Sequence, residues 1–143
     1  MTATVRQLLQ LKGNRVFDIS PQATVYEALE RMAQHDVGAL LVLEEGRLVG
    51  IFSERDYARK IILMGRASRE TPVREVMTTD LVTVSPEATV GECMALMTER
   101  RIRHLPVMEG GRLVGVISIG DVVKAIMTEQ EFLIAQLQQY INS

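Results

Sequence analysis

The sequence predicts an α+β fold: two copies of a β-α-β-β-α unit, packed about a pseudo-twofold axis. Three observations carry this. "RLVGIFSERD" at 47–56 returns as "RLVGVISIGD" at 112–121. A shift of 65 residues lays 19–61 on 84–126 without a gap, and 18 of the 43 aligned positions are identical. Within each copy, apolar residues recur first at helical spacing and then in short runs bounded by turn residues. A unit of about 60 residues with three short strands buries little alone, so the two copies are expected to share one core.

Each copy reads in the same order. Residues 16–19 and 81–84 are apolar enough for an edge strand, and Ser-Pro stops it. In "SPQATV" and "SPEATV", Thr24 and Thr89 stand three residues before Glu27 and Glu92, the spacing of a helix capping box. Val25, Ala28, Leu29 and Met32 then follow at helical spacing, as do Val90, Cys93, Met94 and Met97. Buried strands are expected at 39–43 and 105–108. "EEGR" and "EGGR" turn the chain, with Gly supplying positive φ. Second strands at 48–52 and 113–117 close the hairpins, and second helices are expected at 56–64 and 121–127. "TVRQLL" at 4–9 echoes "PVREVM" at 72–77 with a three-residue offset. The chain divides into a first repeat with its N-terminal segment (1–66), a second repeat (67–127) and a helical tail (128–143).

Composition removes several function classes. The chain has 143 residues, a net charge of -2, one cysteine, two histidines and no tryptophan. A slightly acidic chain argues against non-specific nucleic-acid binding, which needs a basic face, and leaves room only for a local basic patch, while scarce aromatics count against a stacking platform. No apolar run approaches the ~20 residues of a membrane span, and the N-terminus has no signal-peptide pattern, so a cytoplasmic protein is expected. Cys93 lies among apolar helical residues and reads as a core thiol. His35 and His104, scattered and without cysteine partners, make no zinc site.

The residues that can carry chemistry lie at the repeated "S-x-x-D". Ser53 with Asp56, and Ser118 with Asp121, sit where a strand runs into a helix. One reading is a helix cap. Each site, however, carries a hydroxyl and a carboxylate where a cap needs only one. Backbone amides and the positive helix end converge there and favour an anion, while a carboxylate can accept two adjacent ribose hydroxyls. The pairing therefore fits a nucleotide. "RRIRHLPV" at 100–107 brings Arg103 and His104 to the start of a buried strand, where Arg can grip phosphate. The first copy has Gly38 and Ala39 in those places, so the two sites differ chemically. There is no nucleophile–base pair, acid/base carboxylate pair or P-loop, and no catalysis is expected.

With its paired helix starts, "RHLPV", "GRLVGVIS" and "S-x-x-D" ends, the sequence resembles a tandem of CBS domains, the cystathionine-β-synthase repeat that forms a Bateman module. The likeness spans residues 4–127 and leaves no further domain over, as in a stand-alone module. It implies a regulatory sensor of AMP, ADP, ATP, NAD(H) or S-adenosylmethionine, bound in two crossed clefts between the repeats. By that likeness one cleft combines Ser53, Arg55 and Asp56 with Thr79, Asp80, Leu81 and Val82 and with Ile102, Arg103, His104, Leu105 and Pro106. The other combines Ser118 and Asp121 with residues 13–17, Val16 and Phe17 among them, and with Val37, Gly38 and Ala39. Asp56 and Asp121 would hold ribose, Ser53 and Ser118 ribose or phosphate, and Arg103 and His104 phosphate. The family's apolar-Pro pair is present as Leu105-Pro106 but replaced by Leu40-Leu41 in the first copy. The likeness also implies a homodimer, a flat disc of four repeats, formed through helix faces such as Met94, Met97, Val122, Val123 and Ile126. The competing reading is a protein-interaction module with vestigial clefts, acting through its helices and tail.

Overall fold

A computed structural model describes residues 3–142, and the chain in it forms two compact units. One unit is Val16–Val82; the other joins the N-terminal residues through Arg15 to everything from Thr83 onward. In order, the elements are α1 (Val5–Lys12), β1 (Asp18–Ile19), α2 (Val25–His35), β2 (Ala39–Glu44), β3 (Arg47–Ser53), α3 (Glu54–Tyr57), α4 (Val90–Arg100), β4 (His104–Glu109), β5 (Arg112–Ser118) and α5 (Ile119–Asn142). A π-helical turn (Ala58–Ile62) continues α3, and a 3-10 turn (Val73–Glu75) precedes the second repeat.

In the unit Val16–Val82 the sheet order is β1-β2-β3, with β1 parallel to β2 and β2 antiparallel to β3. Thr24 caps α2 through the expected box, its hydroxyl accepting the Glu27 amide and the Glu27 carboxylate accepting the Thr24 amide. The helix then buries Val25, Ala28 and Met32, one face at 3–4-residue spacing, against Leu40, Val42 and Phe52 of the hairpin, with Ile61, Val73 and Val76 completing the cluster. Each of these side chains except the small Ala28 contributes roughly 1.5–3 kcal/mol by leaving water. The hairpin turn places Glu45 at φ 52° and Gly46 at φ 77°, the left-handed pair of a tight hairpin.

The second repeat reproduces the plan. Val90, Cys93 and Met97 are the buried face of α4, and β4 and β5 pair in the same register as β2 and β3, with a bulge at the equivalent step. Burial, with the neighbouring Glu92 charge, pushes the Cys93 thiol up to about 11, which suits a core thiol. The expected edge strand at 81–84 shrinks to one bridge between Val84 and Val107. The cause is Pro106. In the first repeat the Leu41 amide donates to Phe17 O at 3.1 Å. Pro106 stands in Leu41's place and has no N–H to give.

The units cross the repeat boundaries because the segment before each repeat clips onto the other repeat. Val5 and Arg6 amides donate to Ala88 O and Pro86 O, and the Val90 amide to Ala3 O. The same three bonds recur as Val73 to Ala23, Arg74 to Pro21 and Val25 to Thr71. The sequence division at 66/67 follows the repeats; these contacts instead place residues 4–12 with the second repeat and 68–78 with the first. The second glycine of each "GRLVG" makes room for the clip. A Cβ on Gly50 would lie 2.6 Å from Met77 Sδ and 3.1 Å from Thr78 O; one on Gly115 would lie 2.9 Å from Leu9 Cδ2.

Two expectations about helices are corrected. The second helix of the second repeat does not stop at 127 before a separate tail, since α5 runs unbroken from Ile119 to Asn142. No Gly or Pro interrupts it after Gly120, and the Thr128 hydroxyl donates back to Lys124 O within it. Of the helix residues named for pairing two copies, Met97 and Val122 are buried, so neither offers an outer apolar face.

Candidate functional site

Both "S-x-x-D" sequences form strand-to-helix corners, and both use the hydroxyl and the carboxylate together. At the end of β3, Ser53 is extended, its hydroxyl accepts the Asp56 amide at 3.2 Å, and Asp56 Oδ2 accepts the Ser53 amide at 2.9 Å and hydroxyl at 3.1 Å. The premise that a cap needs only one of the two groups therefore fails: a reciprocal box engages both. The other carboxylate oxygen, Oδ1, accepts the Thr78 hydroxyl at 3.0 Å and Lys60 Nζ at 2.9 Å. With four donors around it and only 7% exposed, Asp56 is satisfied by its own unit.

The other expected residues of Val16–Val82 fall around this corner or at its sheet. Ala39 is the cross-strand partner of Ser53, and Gly38 O accepts the Glu54 amide at 3.1 Å. Val37 turns the chain out of α2, its amide on Met32 O. Thr79 and Asp80, exposed, and Leu81 and Val82, half-buried, follow Thr78, whose backbone pairs with Ile51. Arg55 is exposed, and Val16 and Phe17 are half-buried. The Phe17 ring is already engaged, stacked on His35 with centroids 4.1 Å apart.

The corner at Ser118 has the same box and different surroundings. The Ser118 amide donates to Asp121 Oδ2 at 2.8 Å, and the Asp121 amide to Ser118 Oγ at 3.2 Å. Lys12, at the end of α1, reaches the same Oδ2 at 2.5 Å and donates to Val116 O at 2.9 Å. The Asp121 side chain is 24% exposed where that of Asp56 is 9%. His104 faces Ser118 across β4 and β5, and Arg103 O accepts the Ile119 amide at 2.8 Å. His104, which the family likeness groups with Ser53 and Asp56, is thus the cross-strand neighbour of Ser118, and the Arg103 backbone lies beside it. Ile102 is half-buried, while Leu105 and Pro106 are buried.

The electrostatics follow from this crowding. Burial alone would raise the Asp121 carboxyl, but the Lys12 ammonium and the Ser118 amide outweigh it and hold the group below its ordinary value. Burial lowers His104, and the Lys12 and Arg103 charges lower it further against the opposing pull of Asp121. The corner therefore gathers the Asp121 carboxylate, the Ser118 hydroxyl, the His104 imidazole and the Lys12 ammonium at the start of a 24-residue helix. Among the described residues no group of His, Cys, Asp and Glu could hold a metal ion, and no helix is long and apolar enough to cross a membrane.

Lys12, Lys60 and Thr78 touch the two carboxylates and are not among the residues expected from the sequence. Lys60 stands four residues after Asp56, a spacing at which opposite charges meet on a helix, so that signal was present. Lys12 is 109 residues from Asp121, and only the clipping of α1 onto the second repeat brings it there.

Comparison with known proteins identifies the family and the fold. The family model for the CBS domain matches residues 14–63 and 73–128. The CBS domain-containing protein CBSX3, mitochondrial, of Arabidopsis thaliana is 48% identical over 124 residues, covering 83% of this chain, and the chain spans 60% of that protein's length. YhcV of Bacillus subtilis is 38% identical over 116 residues, 81% of this chain and 82% of its own. A solved structure from Burkholderia ambifaria MC40-6, a CBS-domain protein named for signal transduction, superposes with a TM-score of 0.86 at 46% identity, covering 90% of this chain and 96% of that one. Two family-model matches, one per repeat, and relatives at this identity place the chain in a family of regulatory and signalling modules: it belongs to the CBS domain family, as a tandem pair.

Proposed function

We propose that this chain is a regulatory module that binds an adenine nucleotide, AMP, ADP, ATP or NAD(H), with the Ser118–Asp121 corner as the principal half-site. The observation that carries the reading is the company Asp121 keeps. A partly exposed carboxylate that can take ribose hydroxyls stands with Ser118 at the positive end of α5. Lys12, Arg103 and His104, gathered at the same corner, supply charge for phosphate. Lys12 is the residue that must yield: a ribose hydroxyl reaching Asp121 competes with its ammonium, which is then released toward phosphate. The Ser53–Asp56 corner, whose carboxylate is already surrounded by donors, serves chiefly as a cap. Regulation follows if the nucleotide binds one arrangement of the chain better than another. S-adenosylmethionine, which brings no phosphate, uses these cations less well.

No catalysis is assigned; the one thiol is buried and held far from ionisation at neutral pH. Cytoplasmic residence belongs to the proposal as well, and fractionation checks it, one relative being named mitochondrial. The second reading, an interaction module with vestigial clefts, is favoured by the closed state of Asp56. Titration calorimetry with AMP, ATP, NAD and S-adenosylmethionine separates the two. The nucleotide reading expects micromolar binding of a phosphate-bearing ligand that Asp121→Asn weakens at least tenfold. Heat with none of the four, on protein freed of co-purified nucleotide, leaves the interaction reading standing.

A further inference from the structure

Asp121 carries its contacts on one oxygen. Oδ2 accepts the Ser118 amide at 2.8 Å and the Lys12 ammonium at 2.5 Å, and among the described residues Oδ1 accepts no hydrogen bond. A carboxylate takes two adjacent ribose hydroxyls with its two oxygens, so Lys12 occupies half of what a ribose needs. Lys12 is also held differently from Lys60, its counterpart at the other corner. Lys60 follows Asp56 by four residues on one helical stretch. Lys12 ends α1, 109 residues before Asp121.

The start of α1 is anchored. Thr4 caps it, Val5 and Leu8 are buried, and the Val5 and Arg6 amides donate to Ala88 O and Pro86 O. Its end is held by less. Residues 10–15 are exposed. Among the described residues from Gln10 to Gly13, the polar contacts that leave the helix are those of the Lys12 ammonium, to Asp121 and to Val116 O. Gly13 follows at φ 90°, with nothing within 4 Å of where a Cβ would stand, a backbone conformation open to glycine. An eight-residue helix is marginal without such ties, so its last turn and the ammonium can move together.

We propose that Lys12 is a gate on the Ser118–Asp121 corner: it closes the carboxylate to ribose in the empty protein and opens for a nucleotide whose phosphate takes the ammonium in exchange. The gate rests on the nucleotide reading of that corner and adds selectivity to it. A nucleoside without phosphate displaces the ammonium and leaves it unpaired. A nucleoside phosphate displaces it and pairs it again. Lys12 therefore acts against adenosine and for AMP, where a cation that only meets phosphate acts for AMP alone.

Lys12→Met keeps the stem of the side chain and removes the charge. Calorimetry of wild type and variant with adenosine and with AMP tests the gate, and amide hydrogen exchange without ligand tests the tether. In the variant adenosine should bind tighter, by up to about fivefold, the worth of a partly exposed ion pair. AMP should bind more weakly, and the ratio of AMP to adenosine affinity should fall at least tenfold. The amides of residues 11–13 should exchange severalfold faster while those of Val5 and Arg6 keep their protection. Lys12→Gln, equally uncharged, should behave alike. Adenosine that binds the variants no better than wild type, or unchanged exchange at residues 11–13, overturns the gate and leaves the nucleotide reading standing. A wild-type chain that binds neither ligand overturns that reading, and the gate with it.

Discussion

Asp56 and Asp121 occupy the same place in the repeated sequence, and exchanging each for asparagine should do different things. Asp56→Asn keeps the side-chain shape and one oxygen for the Ser53 amide. Its new amide group, however, confronts two donors, the Thr78 hydroxyl and Lys60 Nζ, which now meet Oδ1 at 3.0 and 2.9 Å. The hydroxyl contact is worth about 1 kcal/mol. The Lys60 pair adds less than about 1 kcal/mol, its side chain being 41% exposed, and weakening the box adds about 0.5–1 kcal/mol. The sum is a loss of about 1.5–3 kcal/mol, or a fall in Tm of roughly 4–10 °C for a chain of this size. Asp121→Asn retains the Ser118 amide bond and loses a Lys12 pair whose side chains are 31% and 24% exposed, at a cost of about 1 kcal/mol. Urea unfolding followed by circular dichroism reads the stability, and calorimetry with AMP reads the site. Asp56→Asn should be the less stable variant and still bind; Asp121→Asn should be nearly as stable as wild type and bind poorly. The reverse pattern would refute the division of labour between the two corners.

Other consequences can be checked alongside. Arg103→Ala should weaken AMP by about 1.5–3 kcal/mol, the worth of a charge-assisted contact, and leave adenosine unchanged; equal losses would remove Arg103 from the phosphate. His104 is held below its ordinary value of 6.5, so the unfolded chain takes up that proton first, and stability should fall as pH drops below about 6.5. Asp121, held below its ordinary 3.8, adds stability that is lost only as pH falls through its lower folded value. His104→Gln should flatten the slope between pH 7 and 5.5 in urea titrations. A bound phosphate favours the imidazolium, so AMP affinity should rise from pH 7.5 to 6 while adenosine affinity stays level. Gly50→Ala should destabilise by about 1–3 kcal/mol, because its new methyl meets the Thr78 carbonyl as well as Met77. Gly115→Ala meets only the movable end of Leu9 and should cost less, in thermal melts of both variants.

What could be read from residues alone was local in origin. The Thr24 box, the two hairpins and the buried faces of α2 and α4 are each set by neighbours within four positions or by alternation along a strand, and they emerged within a residue or two of their observed ends. The joined α5 was misread at Thr128 because a polar stretch looks like a boundary, although nothing in "AIMTEQEF" breaks a helix. The shortened edge strand was legible in principle, since Pro106 announces a missing donor. The clip was not: "TVRQLL" and "PVREVM" show that two segments are alike, and which repeat each grips depends on where the chain returns. The same holds for the corners. Their Ser and Asp were visible as a repeat, but the partners that distinguish them, Thr78 for Asp56 and Lys12 for Asp121, arrive from the clipping segments.

The location of the ligand is the claim on which the account turns, and amide chemical-shift mapping with AMP addresses it directly. Saturable shifts should concentrate on Lys12, Gly13, Arg103, His104, Ser118, Ile119 and Asp121. Shifts centred on Ser53–Asp56 and leaving the Ser118 corner still, or no saturable shift at any residue, would contradict it.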